Sequence, residues 1–330
     1  MMDTSPNIAF DDQLGPGLIS LMHREDITEI YVNDDGYVWY DSYNEGKVHS
    51  DLYLTPSKAR TIIEMAAGQN GKIVSEKIPS VSCEIAGYGA RFQGELPPIV
   101  RNPQFNIRKK AIKIFTLHDY VTNGTLSPVY ESYLYTAIKK RKNILIVGGT
   151  GTGKTTFLNA VLDSIARLAP MHRLISIEDT AELQCNAKDY SAMYTISNVD
   201  LKPGEPKYDM TRLLADCMRR SPDRIIVGEV RDGAAYAMLK AFNTGHEGGA
   251  ATVHANSAVQ GLDRIESLCY ENPSCAGDVR RLIGEAIDVV VFLSYKVNPD
   301  GTRSRVIEDV VEVDSYDRSK KDYILHHVKC

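Results

Sequence analysis

The chain lacks the features that announce a membrane-spanning, secreted or nucleic-acid-coating protein. Its 330 residues contain no apolar run approaching the ~20 residues that a bilayer span requires. The amino terminus, MMDTSPNIAFDD, is acidic and has no apolar signal core, so a cytoplasmic location is expected. Six cysteines (Cys83, Cys185, Cys217, Cys269, Cys275 and Cys330) include no C-x-x-C pair. That argues against a zinc site or a disulfide framework and reads them as reduced thiols. A basic excess is missing as well: the formal charge of -5 weighs against a chain whose main business is coating nucleic acid. There is one tryptophan, Trp39, and no internal repeat or low-complexity tract.

What is present is an ordinary globular balance, 43% hydrophobic and 25% charged, with enough apolar material for two packed cores. Residues Ile27 to Tyr40 place β-rich runs on either side of the turn Asn33-Asp-Asp-Gly36, which predicts a hairpin with Trp39 as its core anchor. Pro56 to Gln69 reads as a helix behind the N-cap Thr55. Pro97, Pro98 and Pro103 restrict helix before the strand-like Phe105 to Ile107. These segments make residues 1–110 a small α+β domain, followed by a linker or hinge at 111–127 and a second domain at 128–330. In that second domain a helix from Pro128 to Lys142 precedes the apolar run Asn143 to Val147. Three further runs, Arg173 to Ile177, Arg224 to Val227 and Ala251 to His254, alternate with helical or loop segments. The pattern is that of a parallel sheet with crossover helices. Asp288 to Leu293 and Val306 to Val313 flank the turn Asn298-Pro-Asp-Gly301 and predict a closing antiparallel pair.

Gly148-Gly-Thr-Gly-Thr-Gly-Lys154-Thr155 matches G-x-x-x-x-G-K-[ST] directly after a predicted strand and before the helical Thr156 to Arg167. Glycines let the backbone turn its N–H groups toward phosphates, the helix dipole favours the anion, and Lys154 neutralises the outer phosphates. Thr155 would ligate magnesium. The candidate nucleotide-binding residues are Gly148, Gly149, Thr150, Gly151, Thr152, Gly153, Lys154, Thr155 and Thr156, and the loop alone leaves ATP and GTP both open. Arg224-Ile-Ile-Val-Gly-Glu229 is an apolar strand ending in a carboxylate that would reach the magnesium or its waters, with a surface strand cap as the bland alternative. Glu178-Asp-Thr-Ala-Glu182 follows another strand. Its acids should emerge at the same sheet edge, either to orient water or as an acid-enriched helix start.

Four blocks in order, GGTGTGKTT, IEDTAEL, SPDRIIVGEVRD and TGHEGGAATVHANS, resemble the Walker A, Asp box, Walker B and His box of the type II/IV secretion traffic ATPases. His246 and His254 stand eight positions apart, as in type IV members; the four-cysteine zinc module of the type II branch is missing. GARFQGELPPIV and FNIRKKA resemble the amino-terminal domain of the conjugal-transfer TrbB-like subgroup, and the likeness spans about residues 13–315. The resemblance implies a RecA-like P-loop ATPase domain behind a small PAS-like α+β domain, with ATP and Mg2+ as cofactors. It implies that Glu182 activates or positions water, Glu229 supports the metal with Thr155, Glu178 assists from behind, and His246 and His254 sense the γ-phosphate or link it to neighbouring elements. Arg91, Arg108 and Arg231 are candidate cations for the phosphates. Glu247 departs from the proline or glycine common in the family. The implied assembly is a homo-hexamer, cytoplasmic and peripheral to the inner membrane, partnered by membrane secretion or conjugation components and a coupling ATPase, without stable direct nucleic-acid binding. Closure of the amino-terminal domain on ATP would turn the cycle into rigid-body motion. Two rivals stay open: a RecA-like nucleic-acid motor using the basic runs Arg108-Lys-Lys110 and Lys139 to Lys142, and a nucleotide-dependent assembly platform without turnover.

Overall fold

The computed structural model describes residues 8–42, 45–109, 114–196, 207–297 and 303–330. The chain divides into two compact units, Met1–Lys113 and Ile114–Cys330. In the first, helices α1 (Ile8–His23) and α2 (Pro56–Gln69) accompany strands β1 (Ile27–Val32), β2 (Tyr37–Ser42), β3 (Gly46–Tyr53), β4 (Ser80–Ile85), β5 (Ala90–Glu95) and β6 (Gln104–Arg108). The strands form one sheet in the order β3-β2-β1-β6-β5-β4. The hairpin turns at Gly36, whose φ of 82° suits glycine and whose N–H donates to the Asn33 carbonyl at 3.0 Å. Helix α2 starts where its cap places it, with the Thr55 side chain accepting from the Lys58 N–H and proline in the first turn. Ile62, Ile63 and Ala66 of α2 are fully buried with Ile30, Phe92 and Ile107 of the sheet.

Trp39 is a correction. Strand alternation turns Val38 and Tyr40 into that core, so Trp39 projects from the opposite face, stacked on Tyr31 with ring centroids 6.5 Å apart.

The second unit runs α3 (Leu117–Thr122), α4 (Pro128–Lys139), β7 (Ile144–Gly148), α5 (Lys154–Leu168), β8 (Arg173–Glu178), β9 (Asp189–Tyr194), α6 (Met210–Cys217), β10 (Arg224–Val227), α7 (Ala234–Phe242), β11 (Ala250–Val253), α8 (Ala258–Cys269), α9 (Val279–Ala286), β12 (Val289–Val297), β13 (Arg303–Asp317) and β14 (Asp322–His327). The sheet order is β14-β13-β12-β7-β11-β10-β8-β9, parallel from β12 to β9, with β13 and β14 antiparallel at the other side. Every residue of β7 is buried. Leu145 and Val147 pack with α6 to α9, while Ile144 and Ile146 pack with α3, α4 and α5. Each such fully buried aliphatic side chain contributes about 1.5–3 kcal/mol of transfer free energy, which fixes this strand at the centre.

One sequence expectation meets a different outcome here. The stretch read as a linker is helical over α3, capped by Thr116 and Asp119, and Leu117 and Tyr120 are buried with Phe157 of α5. It therefore packs with the second unit. The turn Asn298 to Gly301 lies outside the described residues, although β12 and β13 pair antiparallel on either side of it.

Candidate active site

Among the described residues, the six parallel strands point their carboxyl ends to one edge, so the residues that follow β7, β8, β10 and β11 are gathered there by topology. The loop after β7 needs its glycines. Gly151 and Gly153 have φ of 77° and 91°, and a Cβ on Gly148 would lie 2.6 Å from the Leu293 carbonyl oxygen. The Gly149 carbonyl accepts from Thr152 Oγ1 at 2.9 Å and from Lys154 Nζ at 3.0 Å. Lys154, the first residue of α5, is 7% exposed, and it holds its ammonium at the loop rather than in solvent.

From Lys154 a wired series of charges crosses the edge. Its Nζ lies 3.3 Å from both ring nitrogens of His254, the residue after β11. His254 Nε2 sits 2.8 Å from Glu229 Oε1, which assigns the ring proton to Nε2 and leaves Nδ1 to accept from Lys154. Burial, and then the Lys154 charge, push the His254 pKa below its ordinary value. Glu229 follows β10 with its side chain 20% exposed, and Arg231 Nη2 reaches its Oε2 at 2.5 Å. Burial would raise the Glu229 pKa. The Arg231 hydrogen bond and charge, with His254 and Lys154, outweigh it and hold the carboxyl below its usual value. Arg231 also approaches Asp179 at 3.9 Å. A cleft of about 320 Å³ opens here, lined by Thr150, Glu229, Val230, Arg231, His254 and Arg264.

Glu178, the last residue of β8, is only 2% exposed, and burial pushes its pKa up. Its Oε2 accepts from the N–H groups of Glu182 and Leu183 at 2.9 and 2.8 Å. A buried carboxyl thus shapes the turn that carries Glu182. Thr155 and Thr156 continue the first turn of α5 beyond Lys154. This arrangement can bind a polyanion on backbone N–H groups and Lys154, while keeping an ionised carboxylate, Glu229, beside it.

One residue singled out in the sequence falls elsewhere in the second unit. His246 precedes β11 at the amino edge, the opposite end of the strand from His254, with its Nδ1 buried and without a hydrogen-bond partner. It is not part of the cluster at the glycine loop of its own chain. Arg91 and Arg108 lie in the first unit, directly opposite one another across β5 and β6, and Arg108 Nε is 3.8 Å from Glu29. Tyr295 and Arg305 were missed, yet both donate to the Gly151 carbonyl, at 2.6 and 3.3 Å. Arg264, on α8, was missed as well. No sequence pattern marks any of the three, because strand pairing and helix packing bring them to the loop.

A central parallel strand, a glycine loop and the helix behind it, with carboxylates at neighbouring strand ends, define a nucleotide-binding class of α/β architecture. The match to the Type II/IV secretion system protein family covers residues 56–316, and the chain belongs to that family. It is 39% identical over 305 residues to the conjugal transfer protein TrbB of Rhizobium radiobacter, spanning 92% of this chain and 89% of that one. It is 28% identical to the type IV secretion system protein PtlH of Bordetella pertussis, over 87% of this chain and 91% of that one. The fold is also that of the pilus retraction motor PilT, with a TM-score of 0.61 at 18% identity, over 95% of this chain and 82% of that one.

Proposed function

We propose that the chain is an ATP-hydrolysing motor of a type IV secretion or conjugal-transfer system. Its second unit would be a RecA-like ATPase domain and its first a PAS-like domain. It would work as a homo-hexamer on the cytoplasmic side, peripheral to the inner membrane and partnered by secretion or conjugation components and a coupling ATPase. The observation that carries this reading is the wired link from Lys154 through His254 to Glu229 at the mouth of the glycine loop. A γ-phosphate arriving there would compete for Lys154 and release His254, so that occupancy is registered at Glu229 and Arg231.

In this reading the backbone of Gly148 to Thr152 cradles the phosphates and Lys154 neutralises them. Glu182, whose N–H is held by the buried Glu178, orients the attacking water. Arg231 adds charge as the bond to the leaving phosphate lengthens. The ionised Glu229 and the hydroxyl of Thr155 fit a divalent cation that takes its remaining ligands from phosphates and water. Magnesium in that place would neutralise charge developing on the phosphate oxygens.

The test is steady-state phosphate release, with and without magnesium, by the unsubstituted protein, Lys154→Ala and Glu182→Gln, with oligomer mass measured on the same samples. Magnesium-dependent turnover by a hexamer, lost in both variants, is expected. Intact ATP binding with no turnover, even with membranes present, would replace the motor by an assembly platform.

A further inference from the structure

The hairpin of β12 and β13 touches the glycine loop at a carbonyl that the nucleotide reading does not use. Tyr295 and Arg305 are register partners on these two strands, so their side chains share a face. Tyr295 Oη donates to the Gly151 carbonyl at 2.6 Å, and Arg305 Nε donates to the same oxygen at 3.3 Å. Resting on the nucleotide reading and deepening it, we infer that Tyr295 and Arg305 are positioning residues that hold the glycine loop in its anion-binding conformation and so set nucleotide affinity.

Two physical arguments support this. Gly151 has φ of 77° and Gly153 of 91°, and glycine at such positions has a large conformational space to lose. The peptide plane joining Gly151 to Thr152 is rigid, so anchoring its carbonyl on one side fixes the Thr152 N–H on the other. An anchored loop has already met part of the ordering cost of binding. The second argument is electrostatic. A Cβ on Gly153, the N-cap of α5, would stand 3.6 Å from Arg305 Cδ, so the Arg305 side chain runs beside the amino end of that helix. Lys154 is already there, and the helix dipole disfavours a second cation. A bound phosphate reverses the sign of that interaction, so the charge of Arg305, beside its hydrogen bond to the loop, turns favourable when the site is filled.

The experiment uses the full chain with ADP and Mg2+ in a calorimetric titration, and ATP turnover over a range of concentrations. Tyr295→Phe is expected to raise Kd and KM by about threefold to tenfold, the change that loss of one hydrogen bond produces. Arg305→Gln, which also loses charge, should raise them about tenfold or more, while kcat stays within about twofold in both. The double variant should lose less than the product of the two, because both side chains serve one carbonyl. Kd and KM unchanged in both variants would overturn the inference. So would a fall in kcat alone, or a lower melting temperature with unchanged Kd. If the unsubstituted protein failed to bind ADP, the nucleotide reading would fall and this inference with it, whereas normal binding with unaltered variants removes this inference alone.

Discussion

The two edges of the second unit's sheet handle buried polarity in opposite ways. At the amino edge Arg224, 2% exposed, gives Nη1 to the Gly248 carbonyl at 3.0 Å, Nη2 to that of Ile138 at 2.9 Å and Nε to His172 Nδ1 at 3.1 Å. Burial, and then Arg141, lower its pKa to about 10. Asn143 beside it receives the Gly249 N–H at 2.8 Å and donates to the Ala286 carbonyl at 2.9 Å. These partners are mostly backbone carbonyls, which cannot leave. At the carboxyl edge Lys154, His254, Glu229 and Arg231 bond chiefly to one another, side chain to side chain. Such partners can be exchanged when an anion arrives. The contrast separates polarity that fixes a fold from polarity that responds to a ligand.

Substitution at the two edges should therefore fail in different measurements. The largest effect is expected at the carboxyl edge, where Lys154→Ala or Glu182→Gln should cut phosphate release by about a hundredfold or more with little change in melting temperature. At the amino edge Arg224→Met should leave turnover per folded molecule nearly intact. It strands two buried carbonyls and should cost about 3 kcal/mol, read as a fall of roughly 5–10 °C in a thermal melt. A melt that fell as far for Lys154→Ala would erase the distinction. Gly248→Ala comes next. Its φ is 82°, and a Cβ there would lie 2.4 Å from Arg224 Nη1, so denaturant unfolding should report a loss of about 2 kcal/mol, again without a catalytic defect.

Much of this contrast is legible in the sequence, for reasons that differ by residue. The span of α2 follows from its Thr55 cap and Pro56, and β10 from a short apolar run between Asp223 and Gly228, because these signals are local. Glu178 and Glu229 could be placed at one edge because each stands at or just beyond the end of a strand of a parallel sheet. His246 could not. A separation of eight residues bridges β11, and at about 3.3 Å per residue a strand carries the chain from one edge to the other. Trp39 went to the outer face because a one-residue register step decides which side chains turn inward. Strand β9, at the sheet's edge, offers neither alternation nor a continuous apolar run and was not foreseen. Tyr295 and Arg305 reach the glycine loop only through the pairing of β12 with β13.

The smallest predicted effect is also the sharpest test, because each edge carries a histidine whose ring nitrogen accepts from a cation. His254 accepts from Lys154, and His172 accepts at Nδ1 from Arg224. Burial comes first, then the cationic partner, in lowering both pKa values. Around His254 stand Lys154, Glu229 and Arg231; around His172 stand Arg224, Asp223 and Arg141. Since the folded chain binds a proton at either site less readily than the unfolded chain, stability is lost as pH falls through the ordinary imidazole range. His172→Asn should flatten that loss in melts between about pH 8 and 5.5, yet keep the acid limb of phosphate release. His254→Asn should lower turnover and remove the acid limb from what remains, because a protonated His254 stays on Glu229 as a cation whether or not Lys154 has left. If the acid limb followed His172 instead, the division of labour between the two edges would be wrong.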